Sequence, residues 1–85
     1  MNEKKIGTVS HYYKKIGVAV INVEDTLTVG DTIHIKGNAT NLTQKLESMQ
    51  IDHKNIEQAN EGDIIGIKVK EYTRENDVVY KVIEG

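Results

Sequence analysis

One short run limits most strongly what this chain can fold into. From Ile64 to Lys70 the residues alternate, with Ile65, Ile67 and Val69 on one face and Lys68 and Lys70 on the other. That is the pattern of a strand with one buried face. It is entered through Gly62-Asp63, a turn pair in which Gly takes positive φ without steric cost and Asp bonds back to nearby backbone. Gly66 lies inside the strand, which points to a bulge or to close approach by another backbone. Such a strand needs partners and a core. At 85 residues the chain has room for one domain, residues 1–85, with one modest core. Phe and Trp are absent, so that core must rest on Ile, Val and Leu.

In order, the rest reads as short strands and turns. Ile6–Tyr12 alternates weakly and is rich in β-formers, so it is the expected first strand. Tyr13-Lys14-Lys15 is the expected hairpin tip, ended by Gly17. Val18–Val23 is nearly all apolar and reads as a strand buried at least partly on both faces. Glu24-Asp25-Thr26 and Leu27–Asp31 are turns leading into Thr32–Lys36, which should point Ile33 and Ile35 inward. After a polar loop, Gln44–Asp52 is the next strand, with a bulge or bend near Ser48 because Leu46 is out of phase with Met49 and Ile51. His53-Lys54-Asn55 crosses to a short segment carrying Ile56. Glu71–Asp77 reads as a charged loop, and the last strand should carry Val78, Tyr80 and Val82 on one face.

No segment sustains the i, i+3, i+4 apolar spacing of a helix. Many short strands between turns imply an all-β fold, a small closed β-barrel, since closure removes exposed edges. There is no Cys, which excludes disulfides, thiolate metal sites and a Cys nucleophile. No apolar run approaches membrane-spanning length, so no membrane partner and a cytoplasmic location are expected. The formal net charge of −2 argues against a general nucleic-acid coat protein but leaves room for a local basic face.

Several stretches resemble domain II of elongation factor Tu and related translation GTPases. Glu57-Gln58-Ala59-Asn60-Glu61-Gly62-Asp63-Ile64-Ile65-Gly66 is similar to the family's Glu-Ala-x-x-Gly-Asp-x-x-Gly. Val23-Glu24 with Leu27–Asp31, the strand Thr32–Gly37, Glu47–Gln50 and Arg74–Val79 resemble further family segments in the same order, so the likeness covers roughly Ile6 to Val82. Similar barrels also occur free-standing and at the ends of some collagenase-like peptidases. The resemblance implies a barrel like domain II of translation GTPases, and RNA or ribonucleoprotein recognition: tRNA, ribosomal RNA or the translation machinery. The phosphate loop Gly-x-x-x-x-Gly-Lys-Ser/Thr is absent, so the chain alone is expected neither to bind nor to hydrolyse GTP. In the family, domain II holds the 3′ end of aminoacyl-tRNA, and the match places Gln50, Ile51, Asp52 and His53 on that rim. Gln50 keeps hydrogen-bonding capacity, and Asp52 stands where the family has a basic group.

The residues themselves suggest a candidate RNA surface. Tyr12, Tyr13, Lys14 and Lys15 interleave aromatic rings with positive charge, the chemistry that stacks bases and neutralises phosphate. His53 and Lys54 add a second basic place, and Gln50 a polar one. The plainer reading is a tyrosine packed in the barrel mouth and lysines keeping an edge soluble. His11, His34 and His53 are scattered without ligand spacing, so no metal or cofactor site is expected. Ser10, Ser48 and the carboxylates form no visible nucleophile–base set. The expectation is therefore a non-enzymatic binding module. The alternative is a protein-interaction module, an accessory barrel for a separately encoded enzyme or GTPase.

Overall fold

The computed structural model describes residues 2–83. Among these there are ten strands and no helix: β1 (Asn2–Tyr13), β2 (Val18–Val23), β3 (Leu27–Thr28), β4 (Thr32–Lys36), β5 (Asn41–Lys45), β6 (Met49–Ile51), β7 (Lys54–Ile56), β8 (Gln58–Ala59), β9 (Ile64–Lys68) and β10 (Val78–Ile83). Eight join one sheet in the order β5-β4-β10-β1-β2-β9-β6-β7, and β3 pairs with β8 separately. The chain is a small all-β domain. The pairing order is that of an open sheet with β5 and β7 at its edges.

The alternating strands behave as their pattern requires. Ile33 and Ile35 of β4, and Ile65 and Ile67 of β9, are all but fully buried. Ala19, Ile21 and Val23 of β2 join them. Each large aliphatic side chain buried this way stabilises the fold by about 1.5–3 kcal/mol. Gly66 of β9 pairs with Val20 on one neighbour and Gln50 on the other without a bulge, and a methyl group there would meet the Val18 side chain at 3.4 Å, so what lies close is a side chain and not another backbone.

Strand β1 is longer than its weak alternation suggested, and it is bulged twice. Its register shifts between Lys5 and Gly7 against β10, and between Val9 and His11 against β2. Each extra residue resets which side chains face inward, which is why Ile6 and Val9 are both core residues. The expected strand Gln44–Asp52 is two strands. Its bend is a break at 46–48, where Leu46 leaves the β4 ladder: its N–H donates to Asp31 O at 2.8 Å, and its carbonyl accepts from Gly30 N at 2.8 Å. The residues expected to cross over at His53 instead form a tight hairpin. Asp52 and His53 both adopt left-handed backbone, φ 51° and 65°, and β7 folds straight back on β6. Two-residue hairpin turns of type I′ call for positive φ at both positions, and here a non-Gly pair accepts it.

Two further readings are refined: Val78, Tyr80 and Val82 do share a face, but it is not the fully buried one. In β10 it is Val79 that is fully buried, while Val78 and Tyr80 stay half-buried on the other face. Apolar residues occupy both phases of that strand, so alternation could not choose between them. The segment 71–77 is not simply a charged loop: Thr73 is fully buried and Asp77 nearly so. The Asp77 carboxylate accepts the Arg74 N–H at 2.8 Å and fills the space beside Gly37. A methyl group on Gly37 would overlap that carboxylate, so this glycine is required by close approach.

Candidate functional site

Strand β1 runs on to Tyr13, and the turn behind it is closed by the N–H groups of Ile16 and Gly17, which donate to Tyr13 O at 3.3 and 2.9 Å. Gly17 takes φ 66° there. The 71–77 segment is pinned alongside: Asn76 N donates to Val9 O at 2.8 Å, and Val9 N donates to Asp77 O at 2.8 Å. These bonds bring Tyr72 against Tyr12, with ring centroids 4.8 Å apart and a tilted interplanar angle of 59°. The Arg74 guanidinium lies over the Tyr72 ring, 5.0 Å from its centroid. His11 meets Tyr13 edge-on at 4.5 Å and faces Glu75 Oε1 at 3.4 Å.

The result is a notch of about 440 Å³ lined by His11, Tyr12, Tyr72, Thr73, Arg74 and Glu75. Tyr12 leans on the core, whereas Tyr13, Tyr72 and nearby Ile16 are about half exposed. An exposed aromatic pair with a guanidinium stacked on it offers flat apolar contact and a fixed cation together. Lys14 and Lys15 are exposed in the turn.

The second basic place does not join the first. Val18, next to the β1–β2 turn, pairs with Lys68 at the end of β9. The β6–β7 turn lies towards the start of β9, since Gln50 pairs with Gly66 antiparallel. His53 and Lys54 therefore sit at the other end of β9 from Lys14 and Lys15, and the single surface expected from sequence is two. Gln50 donates to its own hairpin neighbour, from Nε2 to Asn55 Oδ1 at 3.0 Å. Tyr72 and Arg74 were missed, because nothing local in sequence ties them to Tyr12.

Two other places concentrate polar chemistry. A cleft of about 340 Å³ lies between β5 and the end of β9, lined by Gln44, Lys45, Glu47, Ser48, Lys68, Val69 and Lys70. On the outer face of β4, His34 Nδ1 contacts Glu3 Oε2 at 2.6 Å and its Nε2 contacts Asn41 Oδ1 at 2.5 Å, with Lys36 3.2 Å from Glu3 Oε1. The His34 hydrogen bond, helped by Lys36, holds the Glu3 carboxyl below its usual range. Lys4, 2.7 Å away, does the same for Asp25, with the Thr26 N–H assisting.

No family model matches the chain. An uncharacterized protease of Methanocaldococcus jannaschii is 42% identical over 81 residues, which cover 94% of this chain and 20% of the relative. Collagenases of Porphyromonas gingivalis, one from strain W83, are 35% identical over 78 residues, covering 89% of this chain and 22% and 19% of theirs. These relatives are peptidases by name. The chain spans about a fifth of the length of the curated relatives it matches. Among solved structures, the C-terminal domain of a candidate U32 peptidase from Geobacillus thermoleovorans superposes with a TM-score of 0.88 at 22% identity, over 94% of this chain and 93% of that one. Its selenomethionine variant gives 0.85 at 23% identity, over 89% and 96%. That likeness is one of fold.

These findings overturn the translation-factor reading. The curated relatives are named as a protease and collagenases and the solved domain as part of a U32 peptidase, and none as elongation factor Tu domain II. The turn and strand signals that carried the resemblance, Gly62-Asp63 and Gly30-Asp31 among them, are what small β-folds need to change direction. With the family goes the inferred partnership with tRNA, ribosomal RNA and the translation machinery. The assignment as a non-enzymatic module is corrected as well, because the curated relatives are named as proteases.

Proposed function

We propose that this chain acts as the C-terminal type of domain of a U32 peptidase-family protein, and that it engages the polypeptide on which such a protein acts. What supports this is the 42% identity to the M. jannaschii protease across nearly the whole chain, together with the fold shared with the C-terminal domain of the G. thermoleovorans U32 peptidase. The Tyr12–Tyr72 notch is the place we assign to that contact. Tyrosine faces pack against the flat rings and extended backbone of proline-containing chains, and collagen strands have that polyproline II form. Arg74, already held over Tyr72, is positioned to meet carbonyl or carboxylate oxygens.

Retention of the chain on immobilised denatured collagen tests the reading. Wild type is expected to be retained. Tyr72→Ala, which removes an exposed ring, should weaken retention by about 1–2 kcal/mol in titration without unfolding the chain. A wild-type chain that washes straight through at low salt sinks the proposal.

We further propose that residues 1–85 form one domain, that it resides in the cytoplasm, and that its sheet curls into a barrel whose seam between β5 and β9 is spanned by a side chain and not by a strand ladder. What supports closure is the Gln44 amide: its Nε2 donates to Lys68 O at 2.8 Å, and its Oε1 accepts from Lys70 N at 2.9 Å.

A further inference from the structure

We propose that the cleft between β5 and β9 is a strand-addition site for an extended, acidic polypeptide segment. The proposal concerns a different surface from the tyrosine notch and does not depend on it.

The backbone of β5 is half used. Gly37 N donates to Thr40 O at 2.8 Å and Leu46 N to Asp31 O at 2.8 Å. With Ile33 opposite Gln44 and Ile35 opposite Leu42, this sets the alternation of the antiparallel ladder. Leu42 and Gln44 turn their peptide groups towards β4. Thr43 and Lys45 turn theirs away, into the cleft. Across it, Ala19 and Ile67 face each other, and Val69 N donates to Gly17 O at 3.0 Å. By the same alternation Lys68 and Lys70 present their peptide groups to the cleft.

What meets Lys68 and Lys70 is the Gln44 side-chain amide. It donates to the carbonyl one residue before Val69 and accepts from the N–H one residue after it. That is the pair of bonds a residue of a parallel strand would make opposite Val69. A side chain thus fills the rung of β9 that follows Gly66, where Gln50 of β6 pairs, while the outward peptide groups of β5 at Thr43 and Lys45 meet no strand. An edge of this kind is a template for an added strand.

Charge selects the occupant. The chain carries a formal net charge of −2, yet the cleft is lined by Lys45, Lys68 and Lys70 against Glu47 alone. A segment laid along β5 would bring every second side chain down among these lysines, and carboxylates there gain favourable pairing. The strand hydrogen bonds supply affinity independent of sequence, and the lysines supply the preference for acidic residues.

The probe is a short capped peptide alternating valine and glutamate, titrated into the isotope-labelled chain and followed by amide chemical shifts. Saturable shifts confined to Asn41–Lys45 and to Lys68 and Lys70 are the expected result. Lys68→Gln combined with Lys70→Gln should weaken binding by about tenfold. The same peptide with alternate amides N-methylated should not bind. Tyr72→Ala should leave the peptide affinity unchanged, which separates failure here from failure of the notch. The proposal is overturned if shifts are absent at millimolar peptide, if the N-methylated peptide binds as well, or if inorganic polyphosphate binds equally tightly.

Discussion

Ile67 is 1% exposed at the centre of β9, and a single truncation there reads the strength of the core directly. Ile67→Ala should cost about 2–5 kcal/mol in denaturant melts, combining lost transfer energy with the cavity left behind. Gly37→Ala should cost about 1–3 kcal/mol, because its new methyl must displace the buried Asp77 carboxylate. Acid should act through Glu3, whose folded-state carboxyl is held below its ordinary value, first by the His34 hydrogen bond. A lowered carboxyl contributes fully above its ordinary range, and the contribution drains away as pH falls through the lowered value. Thermal melts from neutral pH into acid should therefore show Glu3→Gln losing less stability than wild type across that window. A parallel fall would mean the pair is inert. At this scale sequence was informative where a residue had one role. Ile33 and Ile35 could be read because their neighbours Thr32, His34 and Lys36 are polar, and Ile65 and Ile67 because they keep phase with Val69 against Lys68 and Lys70. Asp77 and Thr73 could not, because their burial depends on Gly37 and β1, both distant in sequence.

Elements were legible in proportion to their length and regularity. The bounds of β2 and β4 follow from a nearly all-apolar run and a clean alternation, each set between turn residues. The two-residue strands β3 and β8 are too short for periodicity to register, and the β6–β7 hairpin has a turn without glycine. The candidate notch was half visible for the same reason: Tyr12 stood out beside its basic neighbours, whereas Tyr72 reaches it only through the pairing of β1 with the 71–77 segment. The element with most to disclose is β5, whose one side-chain bridge stands in for a strand. Gln44→Leu keeps the bulk but strands Lys68 O and Lys70 N. It should cost about 1–3 kcal/mol, with amide exchange at Lys70 accelerated more than at Ile67. Equal protection at Lys70 in wild type and variant would show that the bridge is not made in solution.

At the scale of the molecule, the order of strands in the sheet departs widely from their order in the chain. β10 lies between β4 and β1, and the sheet's centre is built from the two ends of the sequence. Asn2 pairs with Ile83 and Glu3 with Val82. Non-local pairing of this kind places refolding on the scale of about milliseconds to seconds. Stopped-flow refolding complete within microseconds would contradict it. The same pairing has a consequence for synthesis. During synthesis β1 is made well before its partner and must wait, unpaired on its β10 side, until the residues from Val78 onward follow. Up to that moment the β1–β2 hairpin is the most the N-terminal half can assemble around it. The sheet's central seam is then joined last, and a stop codon or a protease cut before Val78 removes not an edge but the middle of the fold.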